Sequence, residues 1–139
     1  MSHTGLGVFM AGGLVACRSV RQTVVALSST EAEYMSTTEL LKEVIYLIQI
    51  LVQMGVKLDK PTEIFQDNQG CVAMSKNTLT KRSKHIIDIK YHFIRQKVAE
   101  KVVNVTWIKT KNQIADIFTK ALAYDLFVRF RNIMMGIES

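Results

Sequence analysis

The sequence predicts an α/β protein in which a mixed sheet is flanked by helices. Short runs rich in valine, isoleucine and phenylalanine, which are typical of buried strands, occur at 23–27, 62–66 and 102–108. Longer segments with apolar residues at helical spacing separate them, and the longest runs from about Thr30 to Met54. Strands that alternate with helices in this way are typical of the α/β class.

The length and composition predict a single domain over residues 1–139, with a hydrophobic fraction of 48% that excludes a disordered chain. The net charge of +6 permits a polyanionic partner without requiring one. Cys17 and Cys71 form no C-x-x-C pair, so we expect reduced, buried thiols. Because there is no signal peptide and no apolar run of membrane-spanning length, we expect no membrane partner and an intracellular protein, cytoplasmic or nuclear.

The first segment predicts a β-hairpin. Two apolar runs between Gly5 and Ser19 flank the sequence Ala11-Gly12-Gly13, whose glycines can supply the positive φ of a tight turn. The run at 23–27 then predicts a further antiparallel strand. The glycine pair is not interpreted as a phosphate loop, because no Lys-Ser or Lys-Thr follows and no helix begins there.

The long helix begins at a capping-box pattern, Thr30 with Glu33 three residues later. Its apolar stripe consists of Leu41, Val44, Ile45, Ile48, Leu51 and Val52. At about 100° per residue, Glu33 falls near the centre of that stripe and Glu31 on its flank. A core-facing acid needs backbone N–H groups, a protein cation or a metal as partner, because burying a lone charge is costly. The alternative is a capping box with no further role, and this stretch alone favours it.

A short strand at 62–66 is followed by Asp67, and a second helix is predicted from Asn68 to about Lys76. Open α/β sheets place their functional sites at the carboxyl ends of strands, which makes Asp67 a candidate site residue. The alternative is that Asp67 or Asn68 simply caps the helix. The local sequence does not decide between these two interpretations.

Residues 76–97 are the most basic part of the chain, with seven lysines and arginines against one acid, Asp88. Tyr91 and Phe93 are interleaved, and the pattern from about His85 to Ala99 is helical. A cationic helix of this kind can lie along a nucleic-acid backbone, where neutralised phosphates supply affinity. The alternative is an ordinary solvated helix face.

The last third predicts a strand over 102–108 and then a helix that begins at a second capping box, Thr110 with Gln113. Its apolar face would consist of Ile114, Ile117, Phe118, Ala121 and Leu122. Asp116 falls on the opposite face, where helical phase predicts a solvated side chain. Residues 124–136 predict a final short helix, so 124–139 form a C-terminal helical tail.

Four motifs follow one another along the chain: S-S-T-E-A-E-Y at 28–34, Q-D-N-Q-G-C-V-A-M-S-K-N at 66–77, S-K-H-I-I-D-I-K-Y-H-F-I-R at 83–95 and N-Q-I-A-D-I-F-T-K at 112–120. Together they resemble the RNase H region at the C-terminal end of copia-type retrotransposon Pol polyproteins, over about residues 5–130. The resemblance implies an RNase H-like fold and hydrolysis of the RNA strand of RNA–DNA hybrids. It also implies four carboxylates that hold two Mg²⁺ or Mn²⁺ ions at the scissile phosphate.

By matching motifs, the resemblance implies that Glu33, Asp67 and Asp116 are catalytic residues and metal ligands, with Glu31 as the fallback for Glu33. Asp116 is included although phase predicts a solvated side chain, because the rim of an active site also faces solvent. The residues implied to bind the nucleic-acid backbone are Lys84, His85, Lys90 and Arg95.

The chain departs from the family pattern in ways that bear on activity. The family's opening strand carries a catalytic Asp, whereas no acid precedes Glu31 here, so we expect an N-terminally truncated domain that lacks this strand and has impaired activity. H-I-I-D also has one more isoleucine than the family's H-I-D, and Thr78 stands where proline is usual.

The implied partners are an RNA–DNA hybrid, the reverse transcriptase portion of the same polyprotein, and a second copy of the chain through the open sheet edge. The alternative function is a non-catalytic remnant of a Pol polyprotein that binds nucleic acid or dimerises. The two functions differ in their metal requirement, since binding through basic residues depends on salt and needs no divalent cation.

Overall fold

The computed structural model describes residues 3–22, 29–76 and 89–137, apart from the side chains of 89–91. The chain divides into two compact units, one of residues 1–25 and 113–139 and the other of residues 26–112. The described elements confirm the α/β class, with four α-helices and two small sheets, one antiparallel and one parallel. The single domain over 1–139 stays a prediction, and the strand predicted over 23–27 lies outside the described residues.

The N-terminal hairpin is confirmed. Strand β1 (His3–Met10) pairs antiparallel with strand β2 (Gly13–Arg21), and Met10 lies opposite Gly13. The two turn residues, Ala11 and Gly12, have φ values of 51° and 81°. This left-handed conformation suits the twist of a two-residue hairpin turn, and it is strained for alanine but not for glycine.

The prediction of a helix that begins at Thr110 is wrong. The chain instead forms two short 3₁₀ segments, Thr110–Asn112 and Ile114–Phe118, and Gln113 makes no capping hydrogen bond with its side chain. The backbone of β1 approaches the second segment closely, since a Cβ atom at Gly5 would lie 2.7 Å from the Ala115 carbonyl oxygen. Apolar spacing is a weak determinant of local structure by itself, and tertiary contacts such as this one can override it.

The final helix, α4 (Tyr124–Met134), confirms the short helix predicted over 124–136, while the tail over 124–139 stays a prediction. It contacts β2 and the 3₁₀ segment Ile114–Phe118, and its Phe130 is fully buried. Leu6 of β1 is also buried, so both ends of the chain contribute to the core of this unit. An amphipathic helix of this length is stabilised mainly by such packing.

The other unit is built around a parallel pair of strands, β3 (Thr62–Gln66) and β4 (Val103–Trp107). Thr62 lies opposite Val103 and Gln66 opposite Trp107, so both strands end at the same edge. Parallel strands need a crossover connection, and here it contains helices α2 (Gln69–Lys76) and α3 (Ile89–Ala99). Among the described residues of this unit, the buried apolar side chains are Tyr34, Leu41, Val44, Ile64, Cys71, Ile94, Val103 and Val105.

Helix α1 (Ser29–Gln53) confirms the long helix, and Gly55 follows it with a φ of 86°. The predicted apolar stripe is only partly buried: Leu41 and Val44 are covered, whereas Val52 is 57% exposed, which contradicts the prediction. Among the residues of α1, all of which the structure describes, none after Val44 is buried. No helix in the described ranges, α1 included, combines the length and the hydropathy needed to cross a bilayer.

Candidate active site

In the second unit, the backbone at Glu33 is linked to Cys71 through Thr37, and the residue that follows Asp67, Asn68, bonds to the Cys71 N–H. Glu33 belongs to the beginning of α1, and Asp67 directly follows the last residue of β3. Burial raises the pKa of the Cys71 thiol to about 11, and the charges of Glu33 and Asp67 contribute in the same direction. Hydrogen bonds of Thr37 and Gln66 join the beginning of α1, which carries Glu33, to the strand end that precedes Asp67.

Cys71 is fully buried and free, whereas Cys17 is exposed on β2. The prediction of two buried thiols is therefore wrong for Cys17. The two-stranded hairpin covers few of its own side chains, and five consecutive residues of β2 from Cys17 onward are exposed. A thin sheet of this kind leaves residues on both faces accessible to solvent.

The structure assigns the capping role to Asn68 and not to Asp67. Asn68 Oδ1 accepts a hydrogen bond of 2.9 Å from the backbone N–H of Cys71, which is the N-cap arrangement for α2. The hydroxyl of Thr30 donates to the same oxygen at 3.4 Å, so Thr30 contacts the start of α2. The Asp67 carboxylate makes no hydrogen bond or ion pair within the described part of the chain.

The backbone around Asp67 is held from several sides. The N–H of Ile108 donates to the Gln66 carbonyl at 3.0 Å, and the indole N–H of Trp107 donates to the Asp67 carbonyl at 3.2 Å. The N–H of Asn68 donates to the side-chain oxygen of Gln66 at 3.0 Å. These bonds fix Asp67 to the ends of both parallel strands, which is how a rigid element positions a functional group.

A buried polar cluster of Thr37, Gln66 and Cys71 joins α1 to this strand end. Thr37 Oγ1 donates to the Glu33 carbonyl at 2.9 Å and accepts from Gln66 Nε2 at 2.9 Å. The Cys71 sulfur lies 3.6 Å from the same oxygen. Because a hydroxyl has one proton and two lone pairs, the thiol is the donor in this last contact.

Sequence reasoning did not identify Thr37, Gln66 or Cys71 as site residues. One signal was present for Thr37, which lies four residues after Glu33 and four before Leu41, on one face of α1. For Gln66 the signal was its position two residues after the apolar Ile64, on the same face of the strand. Buried polar groups need hydrogen-bond partners, so such a position predicts a polar contact without saying to which residue.

Asp116 belongs to the other unit, where it lies in the 3₁₀ segment Ile114–Phe118. Its side chain is 16% exposed and its Oδ2 lies 3.0 Å from the Lys120 Nζ. The prediction that the Asp116 side chain is solvated is therefore wrong, because the carboxylate is largely covered and paired with Lys120. The prediction assumed the phase of an α-helix, and no α-helix forms here. Whether Asp116 acts together with Glu33 and Asp67 stays a prediction.

Of the four residues predicted to bind nucleic acid, the structure describes the side chain of Arg95 alone. Lys84 and His85 lie outside the described residues, as does the side chain of Lys90. Arg95 is half-buried, and its Nε donates to the Met74 carbonyl at 2.6 Å, near the C-terminal end of α2. Its Nη1 is buried with no hydrogen-bond partner in the described part of the chain. A phosphate contact by Arg95 stays a prediction.

The carboxylates of Glu33 and Asp67 suit Mg²⁺ or Mn²⁺, which prefer hard oxygen ligands. Within residues 3–22, 29–76 and 89–137, no three side chains of His, Cys, Asp or Glu come together as a metal-binding group. The second unit offers Glu33 and Asp67 on two elements that hydrogen bonds join, and a divalent cation held by them would need further ligands. Glu31, the fallback residue, is half-buried in the first turn of α1.

The chain is similar to parts of retrovirus-related Pol polyproteins from plant transposons. It is 38% identical over 127 residues to the polyprotein of transposon TNT 1-94 from Nicotiana tabacum, which covers 91% of this chain. It is 34% identical over 131 residues, 94% of this chain, to each of the polyproteins of transposons RE1 and RE2 from Arabidopsis thaliana.

These relatives confirm the resemblance to a transposon Pol polyprotein, although the chain spans only 9% of the length of each. No protein-family model matches the chain. No solved structure matches it either.

Proposed function

We propose that this chain is the ribonuclease H segment of a retrotransposon Pol polyprotein and acts on the RNA strand of RNA–DNA hybrids. The observation that carries the proposal is the set of buried hydrogen bonds from the Glu33 carbonyl through Thr37 to Gln66, which joins the beginning of α1 to the strand end directly before Asp67. Because Asn68 caps α2, the Asp67 carboxylate is not needed for capping. The similarity to transposon Pol polyproteins over most of the chain supports this assignment.

In this proposal Glu33, Asp67 and Asp116 hold the divalent cations, Mg²⁺ or Mn²⁺, with Glu31 as the substitute for Glu33. Bound cations supply an activated water and stabilise the leaving 3′ oxygen. The chain itself keeps Asp67 in place through the bonds that hold Gln66 and Asp67 to β4. The basic residues Lys84, His85, Lys90 and Arg95 contribute contacts to the backbone of the hybrid.

In this proposal the isolated chain cleaves the RNA strand of a hybrid only slowly. Residues 1–30 contain no Asp or Glu, so this chain supplies three of the four carboxylates that the resemblance implies. Fewer anionic ligands hold two divalent cations less tightly, because their mutual repulsion is less well neutralised. A reverse transcriptase portion of the same polyprotein, or a second copy of this chain, is the proposed source of further contacts.

A second candidate function is a remnant that binds nucleic acid or dimerises without catalysis. Two observations favour it: the described residues contain no group of three metal-binding side chains, and the chain has a net charge of +6. This candidate predicts hybrid binding that weakens with salt and is the same in Mg²⁺ and in EDTA.

The test is to incubate the 139-residue chain with a labelled RNA–DNA hybrid in Mg²⁺, in Mn²⁺ and in EDTA, and to measure binding and cleavage together. The proposed nuclease function predicts slow cleavage of the RNA strand with either metal ion and no cleavage in EDTA. Salt-sensitive binding with no cleavage in any condition would support the non-catalytic candidate. A DNA duplex of the same sequence is the substrate control.

A further inference from the structure

We propose that Gln66 is a positioning residue whose side-chain amide fixes Glu33 and Asp67 relative to each other. The proposal rests on the proposed function, since it concerns how the two carboxylates of that site are held. Gln66 lies directly before Asp67 in the chain, and it reaches α1 through Thr37. It would act through the positions of its neighbours and without touching substrate.

Both ends of the Gln66 amide are used. Its Nε2 donates to Thr37 Oγ1 at 2.9 Å, and its Oε1 accepts from the Asn68 N–H at 3.0 Å. The side chain is 5% exposed, so water cannot easily replace either partner. A buried amide with both ends bonded has one favourable orientation, because reversing it would place N–H against N–H.

The nitrogen of the Gln66 side-chain amide connects, through the Thr37 hydroxyl, to the backbone at Glu33. The Thr37 hydroxyl donates its one hydrogen bond to the Glu33 carbonyl at 2.9 Å, one helical turn earlier. Gln66 and Cys71 occupy the remaining acceptor positions of that oxygen. The rotation of α1 about its own axis at Glu33 is therefore tied to the end of β3 by a continuous set of hydrogen bonds.

The oxygen of the Gln66 side-chain amide, which bonds to the Asn68 N–H, connects to the backbone at Asp67. Gln66 and Asn68 lie on either side of Asp67, and the bond between the Gln66 oxygen and the Asn68 N–H closes a tight turn around it. The Asn68 side chain accepts from Cys71 N–H and from Thr30, so the same turn also contacts α2 and the start of α1. One amide thus connects the backbones on which both carboxylates are carried.

The experiment measures the affinity of the full chain for Mn²⁺ alone, by the electron paramagnetic resonance signal of the free ion. Gln66→Met keeps a similar volume and removes both hydrogen bonds. We expect about a 10- to 100-fold weaker Mn²⁺ affinity, the usual effect of losing an outer-shell partner. Thr37→Val should weaken Mn²⁺ binding as well, and Thr37→Ser, which keeps the hydroxyl, should restore it.

The matched control is Val103→Ala, which removes buried volume from the neighbouring strand without touching the polar cluster. Val103→Ala should lower the stability of the chain while leaving Mn²⁺ affinity unchanged at a temperature where it is folded. If Gln66→Met does not fold, the comparison of Thr37→Val with Thr37→Ser tests the same connection. Equal loss of Mn²⁺ affinity in Val103→Ala would show a general effect of stability and overturn the proposal.

Asp67→Asn separates this proposal from the function on which it rests. If Asp67→Asn leaves Mn²⁺ affinity unchanged, the metal site itself is absent and the proposed function fails. If Asp67→Asn weakens Mn²⁺ binding but Gln66→Met and Thr37→Val do not, only the positioning role of Gln66 is overturned. The expected result is a loss of Mn²⁺ affinity in all three variants.

Discussion

Gln66 donates a hydrogen bond of 2.9 Å to Thr37, and this bond joins the last residue of β3 to the middle of the polar cluster on α1. Both residues are buried, at 5% and 3% exposure. A buried hydrogen bond of this kind is costly to leave half-made, because the remaining partner is then unsatisfied. The contact therefore restricts how α1 can lie against the end of the parallel strands.

The cap of α2 gives the first prediction. Asn68→Ala removes the oxygen that accepts the Cys71 N–H, so we expect the free energy of unfolding to fall by about 1 kcal/mol. Asn68→Asp keeps a capping oxygen and should stay close to the parent chain. Urea denaturation followed by circular dichroism measures both variants, and equal stability of Asn68→Ala and the parent would contradict the assigned cap.

The thiol of Cys71 gives the second prediction. With its pKa raised to about 11 and its sulfur buried, Cys71 should react very slowly with iodoacetamide at pH 8, because only about a thousandth of it is thiolate there. Exposed Cys17 should react first. Mass spectrometry of the parent should show one rapid modification, and Cys17→Ser should show none. Rapid modification of Cys17→Ser under native conditions would contradict the buried cluster.

Most of the fold could be predicted from local patterns. The hairpin, the long α1 helix, β3 and α4 follow from turn residues, spacing and capping signals within a few residues of each other. The segment after Thr110 could not: its Ala115 carbonyl approaches the backbone of β1 closely at the distant Gly5, and tertiary contacts can override apolar spacing. Apolar spacing carries no information about such a contact.

The candidate site was predictable only in part. Helical phase predicted that Glu33 lies toward the core side of α1, and its position after a strand made Asp67 a candidate site residue. Neither observation predicted a connection between the two residues. The link runs through Thr37 and Gln66, which are 29 positions apart in the sequence. Hydrogen bonds between distant residues leave no periodic signal, so only the folded structure shows them.

The turn of the hairpin gives the third prediction. Ala11 has a φ of 51°, and a left-handed conformation costs an alanine roughly 1 kcal/mol. Ala11→Asn, which creates the Asn-Gly pair favoured in such turns, should therefore raise the free energy of unfolding by about that amount. Thermal denaturation provides the measurement, and Ala16→Asn within β2 is the control, which should not stabilise the chain.

The basic segment gives the fourth prediction. If Lys84 and Lys90 contact phosphates, replacing either by Gln should lower the slope of log affinity against log salt for an RNA–DNA hybrid by about 1. Fluorescence anisotropy at several salt concentrations measures the slope. Lys57→Gln, in an exposed loop, removes the same charge elsewhere and should leave the slope unchanged. Equal effects of all three substitutions would indicate a general charge effect and no defined contact.

The most direct test of the central claim compares hybrid cleavage in Mn²⁺ by the parent chain, Asp67→Asn and Asp59→Asn. Asp67 directly follows β3, at the strand end that a hydrogen bond joins to α1, whereas Asp59 lies in an exposed loop. We predict slow cleavage of the RNA strand by the parent and by Asp59→Asn, and none by Asp67→Asn. Cleavage by Asp67→Asn at the parent's rate would contradict the claim that Glu33 and Asp67 form a nuclease site.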